Sequence, residues 1–264
     1  MLNMRTSTQL AGLLAVAALC GAGSAFSATW TFTGTTLEQP AGYGAATDTV
    51  GGVTATATAW ANTANGPSGN DTILASAYLT PQGTSGVGAR HADGETTSSP
   101  QHAIDNDGRI ESVLFSFAGD KVNLSSTYFG WVSNDSDYSV YAYTGAGAGS
   151  VAGLTYAGLT SNGWSLVGHY NSNGSAGSKT IATGIFSSYW LIGAYNGTGS
   201  GMDGNKDYFK LKSVTGATCA DTPGGRGCGG GTPPGGSVPE PGTLLLVGIG
   251  MLGLTRIKRR QTAV

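Results

Sequence analysis

Charge is the scarcest commodity in this chain. Only 11% of its 264 residues are Asp, Glu, Lys or Arg, less than half the roughly 25% usual in soluble domains. With 39% apolar residues and a formal net charge of −2, disorder driven by charge repulsion is excluded. Histidine (His91, His102, His169) and cysteine (Cys20, Cys219, Cys228) are nearly absent, which leaves little material for a zinc centre. There is no HExxH, no phosphate-cradling Walker loop, and no Gly-x-Ser-x-Gly elbow at a strand-to-helix turn. A glycosidase would need two carboxylates flanking one bond, and sequence alone places no such pair. No stretch of the body has the apolar stripe of an amphipathic helix. Glycine is abundant, at 45 residues, but without a Gly-X-Y period, so collagen is excluded as well.

The two ends carry what the body lacks, uninterrupted apolar runs. Residues 1–27 read as a signal peptide: Arg5, an uncharged run over 10–22, then Gly23, Ser24, Ala25 and Ser27. A basic start, a short apolar centre and small residues before the cut suit a signal peptidase, with cleavage expected after Ala25 or Ser27. At the far end Val238, Pro239, Glu240 and Pro241 precede an uncharged run over 242–254, closed by Arg256, Lys258, Arg259 and Arg260. Thirteen helical residues rise only about 20 Å against a hydrocarbon core of about 30 Å. Thr255 and Ile257 extend the run, and the long basic side chains snorkel to the interface. A single membrane-spanning helix with its basic end on the cytoplasmic side is therefore expected.

That tripartite order resembles the PEP-CTERM sorting signal of Gram-negative bacteria. The resemblance implies that exosortase, a membrane-embedded transpeptidase-like enzyme, recognises Pro239, Glu240 and Pro241 and cuts nearby, so that this chain is a substrate. It implies export across the inner membrane, transient anchoring there, and a final place at the cell surface or outside the cell.

Setting aside the charged residues of both signals, five basic residues and Glu240, leaves 8 basic against 14 acidic residues, a body near −6. Such a surface repels phosphates, so no nucleic-acid partner is expected. Cys219 and Cys228 bracket a glycine-rich loop, and in an oxidising compartment a disulfide is the default. Residues 218–237, rich in Gly, Pro and Thr, read as a linker between a domain over 28–217 and the sorting signal over 238–262.

Within the body nine β-prone runs are separated by turn residues: 30–35, 53–60, 72–79, 111–117, 128–132, 138–144, 164–170, 189–195 and 208–214. Residues 53–59 alternate Thr with small apolar side chains, and Val113, Phe115 and Phe117 alternate with Leu114 and Ser116. An all-β fold follows, an antiparallel β-sandwich of jelly-roll type, with an irregular β-solenoid as the alternative. Residues 99–106, 110–117, 130–131, 135–137, 141–145, 163–168 and 207–210 resemble one group of exosortase-dependent surface proteins, a resemblance that implies one domain and supplies no catalytic residue.

Three polar or aromatic groups offer chemistry. Asp105, Asp107, Glu111, Asp135 and Asp137 can either close Asx turns or supply oxygens to calcium; the turn reading is preferred, and no other cofactor is expected. His91, Asp93 and Glu95, with His102, read as a solvated loop more readily than a metal site. Tyr141, Tyr143 and Trp164, among Trp131, Tyr138 and Tyr170, either stack on sugars or fill the core. The function expected is structural or adhesive, in an exopolysaccharide or biofilm matrix. A carbohydrate-binding module is the alternative and a secreted hydrolase the third reading.

Overall fold

The computed structural model describes residues 27–34, 42–63, 72–96, 98–100, 102–172, 174–197 and 204–228. Residues 1–26 of the expected signal peptide, residues 229–237 of the expected linker and the sorting signal lie outside these residues, and so does the expected membrane helix. Among the described residues no helix is long and apolar enough to cross a membrane.

Thirteen strands join in one curled sheet, a half-barrel in which every strand pairing is antiparallel. In chain order they are β1 (Ser27–Thr31), β2 (Ala46–Val50), β3 (Val53–Ala61), β4 (Ala75–Pro81), β5 (Val87–Arg90), β6 (Ile104–Asp105) and β7 (Glu111–Ala118). There follow β8 (Val122–Val132), β9 (Tyr138–Tyr143), β10 (Trp164–Tyr170), β11 (Gly177–Thr180), β12 (Tyr189–Ala194) and β13 (Tyr208–Thr218). The path runs β10-β9-β12-β7-β3-β4-β5-β13-β8-β11, with β2 beside β3 and with β1 and β6 on β13. The curl is centred on β4. Ala75 to Ala77 pair with β3, whereas Tyr78 to Pro81 pair with β5, so one strand belongs to both halves.

The all-β, antiparallel part of the expectation holds. The hydrogen bonding forms one continuous path through β4, so a jelly-roll sandwich of two separate sheets is not shown. All nine β-prone runs contain strands. The sequence reading missed β2, β5, β6 and β11, which are short and carry few large apolar side chains.

Alternation decides which side chains meet. On β3, Val53, Ala55, Ala57, Ala59 and Ala61 are buried and the residues between them half-buried. Their small side chains leave room for rings from the other half. Trp30 meets Phe117 edge-on at 5.0 Å, Phe32 meets Phe115 at 5.3 Å, and Phe129 meets Tyr138 at 5.2 Å. The buried indoles are satisfied, Trp30 donating to the Val53 carbonyl at 2.9 Å and Trp190 to that of Val122 at 3.0 Å, as burial of an N–H requires.

The outer face of β7, β12, β9 and β10 is covered too. Leu114, Leu191, Tyr141 and Trp164 form a second apolar cluster with Leu74, Val151, Tyr156 and Leu159. Val151, Tyr156 and Leu159 come from the connection between β9 and β10, which folds back over the sheet. The Tyr156 hydroxyl, buried there, is within 3.0 Å of Ser112 Oγ and donates to the Ile110 carbonyl at 3.1 Å.

Candidate functional site

The five acidic residues singled out in the sequence do not converge on one point. They separate into two buried triads, each completed by a residue that spacing alone did not suggest: Glu95 joins Asp105 and Glu111, and Asp207 joins Asp135 and Asp137. Asp107 joins neither. It stands at the surface, where one oxygen accepts from the Tyr208 hydroxyl at 2.9 Å and the other lies 3.5 Å from Lys206 Nζ.

The first triad is assembled by the β5–β7 region. Gly88 on β5 lets the chain at His102 pass close by, since a β-carbon there would sit 1.9 Å from the His102 carbonyl oxygen. Thr80 Oγ1 donates to that same carbonyl at 3.0 Å. The passing segment then forms β6, and Asp105 pairs with Tyr208. Glu111 opens β7 opposite Ala61, and Glu95 folds in from the loop after β5. The Glu95 carboxylate accepts from the His91 backbone N–H at 2.8 Å, while Arg90 Nη1 donates to the Glu95 backbone carbonyl at 3.3 Å.

Asp105 and Glu111 are wholly buried. Asp105 Oδ1 closes an Asx turn by accepting from the Asp107 N–H at 2.9 Å, so the turn reading holds for that oxygen. Its Oδ2, both oxygens of Glu111 and Oε1 of Glu95 have no hydrogen-bond donor. Burial pushes all three carboxyls above the ordinary range, reinforced at Asp105 by the charge of Glu95 and at Glu111 by the charges of Asp105 and Glu95. His91 does not complete a metal set with them. Its Nδ1 is bound to Asp93, and Asp93 is bridged to Arg109 at 2.7 Å. His102 is further removed in role, its Nε2 lying 2.9 Å from Lys210 Nζ.

The second triad is a backbone anchor. Asp135 Oδ1 accepts from the Ser136 N–H at 2.8 Å, Asp137 Oδ1 from the Ser172 N–H at 2.7 Å, and Asp207 Oδ1 from the Asp137 N–H at 2.7 Å. Asp207 Oδ2 accepts from the Asn106 side chain at 2.6 Å. These bonds tie the turn after β8 to the start of β13 and to the segment after β6. Burial lifts Asp207 to about 7, and the neighbouring charges of Asp137 and Asp135 reinforce it.

The aromatic set is a correction to the sugar-stacking alternative. Tyr141 and Tyr143 do share a face, opposite Val140, but that face is the covered one: Tyr141 and Trp164 are buried in the second cluster, with Tyr143 packed against it. Tyr143 is held edge-on between Trp164 and Tyr189. Tyr138 and Tyr170 stack on each other at 4.8 Å, and Lys210 Nζ lies over Trp131 at 4.6 Å.

Sequence inspection also missed a Ser–His pair. Ser139 and His169 face each other across β9 and β10, with 2.7 Å between Oγ and Nδ1. Ser139 is buried. Only cross-strand register could have revealed it.

A cavity of about 710 Å³ lies at the far end of the β3–β7 pair, beside Cys219 and Cys228 and lined also by Val53, Gly119 and Asp221. It has no acidic cluster. The two cysteines form the expected disulfide, with Cα atoms 5.6 Å apart.

Residues 237–260 match the PEP-CTERM protein-sorting motif. The chain carries an exosortase sorting signal. The PEP-CTERM segment marks it for exosortase-dependent export and anchoring at the surface of a Gram-negative envelope, with exosortase as processing partner. No curated protein and no solved structure matches the chain. The resemblance of the body to exosortase-dependent surface proteins therefore has no support from these comparisons.

Proposed function

We propose that this chain is a non-catalytic surface protein. A signal peptide over 1–27 starts its export, an apolar helix over 242–254 holds it briefly in the inner membrane, and exosortase cuts near Pro239, Glu240 and Pro241. The single β-domain over 28–217, a sandwich-like wrapping of one sheet around its core, then serves structurally or adhesively in an exopolysaccharide or biofilm matrix, with residues 218–237 as its tether. The PEP-CTERM match is the observation that carries the reading.

Two features of the domain favour structure over catalysis. Ser139, the hydroxyl nearest a histidine, is buried in a strand where substrate has no access. In the second acidic triad each residue gives one carboxylate oxygen to a backbone N–H group. The burial of Tyr141 and Trp164 supports adhesion by shape and hydrogen bonding over sugar stacking.

Replacing Pro239, Glu240 and Pro241 together by Ala tests the sorting step. The expected outcome is accumulation of full-length chain in the membrane fraction and loss from the surface, read by mass spectrometry of the C-terminal peptides. Surface material that still contains residues 242–264 would refute processing at the motif. The matrix role predicts a weakened extracellular layer when the gene is deleted, restored by the wild-type chain. An unchanged layer would refute it.

A further inference from the structure

We propose that Glu95, Asp105 and Glu111 bind one calcium ion, and that this ion locks the segment between β5 and β7 onto the sheet. The inference goes beyond the sorting reading and does not depend on it.

An acidic cluster is commonplace at a surface, where water solvates each charge. This one is inside. Glu111 is 0% exposed, and neither of its oxygens has a hydrogen-bond donor. Asp105 is also 0% exposed with Oδ2 unmet, and the Glu95 side chain is 3% exposed with Oε1 unmet. Taking a carboxylate out of water without a partner costs several kcal/mol, and native structures leave very few buried polar atoms unsatisfied. Four such oxygens at one place need a common partner.

Geometry and charge indicate which partner. Each of the three residues offers a carboxylate oxygen within 4.8 Å of the others. Oxygens bound to one calcium at about 2.4 Å lie no more than about 4.8 Å apart. The neighbouring cations offset the group only in part. Arg90 reaches Glu95 through its backbone carbonyl, Arg109 is engaged by Asp93, and Lys206 is 52% exposed beside Asp107. Three carboxylates facing one guanidinium leave a deficit that suits a divalent cation. Because the donors are all oxygen, a hard cation is favoured over zinc or copper. Magnesium surrenders its waters reluctantly, so an enclosed carboxylate group suits calcium better. The rival occupant is a proton shared between Glu95 and Glu111, whose carboxyls are close neighbours.

The site also has a structural consequence. Glu95 sits in the loop after β5, Asp105 on the two-residue strand β6, and Glu111 at the first position of β7. One ion joining all three would fasten a connection whose strand pairing is otherwise short.

The test is thermal unfolding of the full chain in mild detergent, in excess chelator and in 5 mM calcium (~5 mM, well above the about 10⁻⁴–10⁻³ M affinities of extracellular sites). Calcium is expected to raise Tm by about 5 °C or more. Glu111→Gln and Glu95→Gln should each abolish that rise while melting in chelator no lower than wild type, because each removes a repelling charge. Should Glu111→Gln fail to fold, Glu95→Gln, in the loop after β5 and outside any strand, decides. No calcium-dependent rise in the wild type would overturn the proposal in favour of the shared proton. A rise that persists in the folded variants, or one produced by zinc and not by calcium, would overturn it equally.

Discussion

Truncating Phe129 should open the seam on which the curled sheet closes. The ring is fully buried on β8, stacked on Phe209 at 4.1 Å and edge-on to Tyr138 of the opposite half at 5.2 Å. Phe129→Ala forfeits the transfer energy of a buried ring and leaves a cavity, together about 3–5 kcal/mol. The two aromatic contacts add about 1 kcal/mol each at most beyond burial. The cavity lies between two sheet halves that share β4, so neither half can collapse into it alone. A loss of about 4 kcal/mol is expected, which for a domain of this size lowers Tm by about 8–16 °C. The neighbouring Tyr128 is the control. It points the other way and is 42% exposed, so Tyr128→Ala should stay within about 0.5 kcal/mol of wild type. Both are measured by circular dichroism melts of the same preparation. Near-equal effects of the two substitutions would refute the assignment of the inner face, because one residue of register exchanges every inward and outward side chain along the strand.

Other outcomes follow from particular contacts. Asp207, lifted from 3.8 to about 7, holds its proton more tightly folded than unfolded, so stability should fall as pH rises from about 4 to 7 and then level off. At about 1.4 kcal/mol per pH unit the loss is at most about 4 kcal/mol; melts in chelator at pH 4 and pH 8 read it, and Asp207→Asn should remove this share of the slope and leave that of Glu95, Asp105 and Glu111. Replacing Cys219 and Cys228 with Ser removes a cross-link spanning 9 positions, a change expected to cost about 2–3 kcal/mol by loop-closure entropy, read as a lower denaturant midpoint with an unchanged slope. Gly88→Ala forces a β-carbon onto the His102 carbonyl and should destabilise by about 3 kcal/mol, whereas Gly94→Ala, in open space at φ +97°, should cost about 1 kcal/mol from backbone strain alone.

How much was legible in advance depended on how local the signal was. The run over 53–60 announced its own strand, because small apolar residues alternate with Thr over 53–59 and the buried set is the apolar one that the alternation puts on one face. The sorting segment was equally plain, since a Pro-Glu-Pro element, an apolar run and a basic cluster are read in order along one stretch. The cysteine pair closed as expected, its short intervening loop making the encounter local. By contrast β2, β5, β6 and β11 hold four strand places with small or polar residues, and their pairing comes from neighbours rather than from their own composition.

The sequence by itself determined where the chain is sent, that it is built of strands, and that its acidic residues outnumber its basic ones outside the signals. Only the tertiary structure decided that Tyr141 and Trp164 are core, because the connection between β9 and β10 folds back over the face that Tyr141 and Tyr143 share, opposite Val140. It also decided that Asp105 and Glu111 meet Glu95 while Asp135 and Asp137 meet Asp207. The partners of the second triad are about 70 residues apart, a distance that local patterning cannot bridge. Strand order and register, enforced by burying one face of a curled sheet, are what bring such carboxylates together.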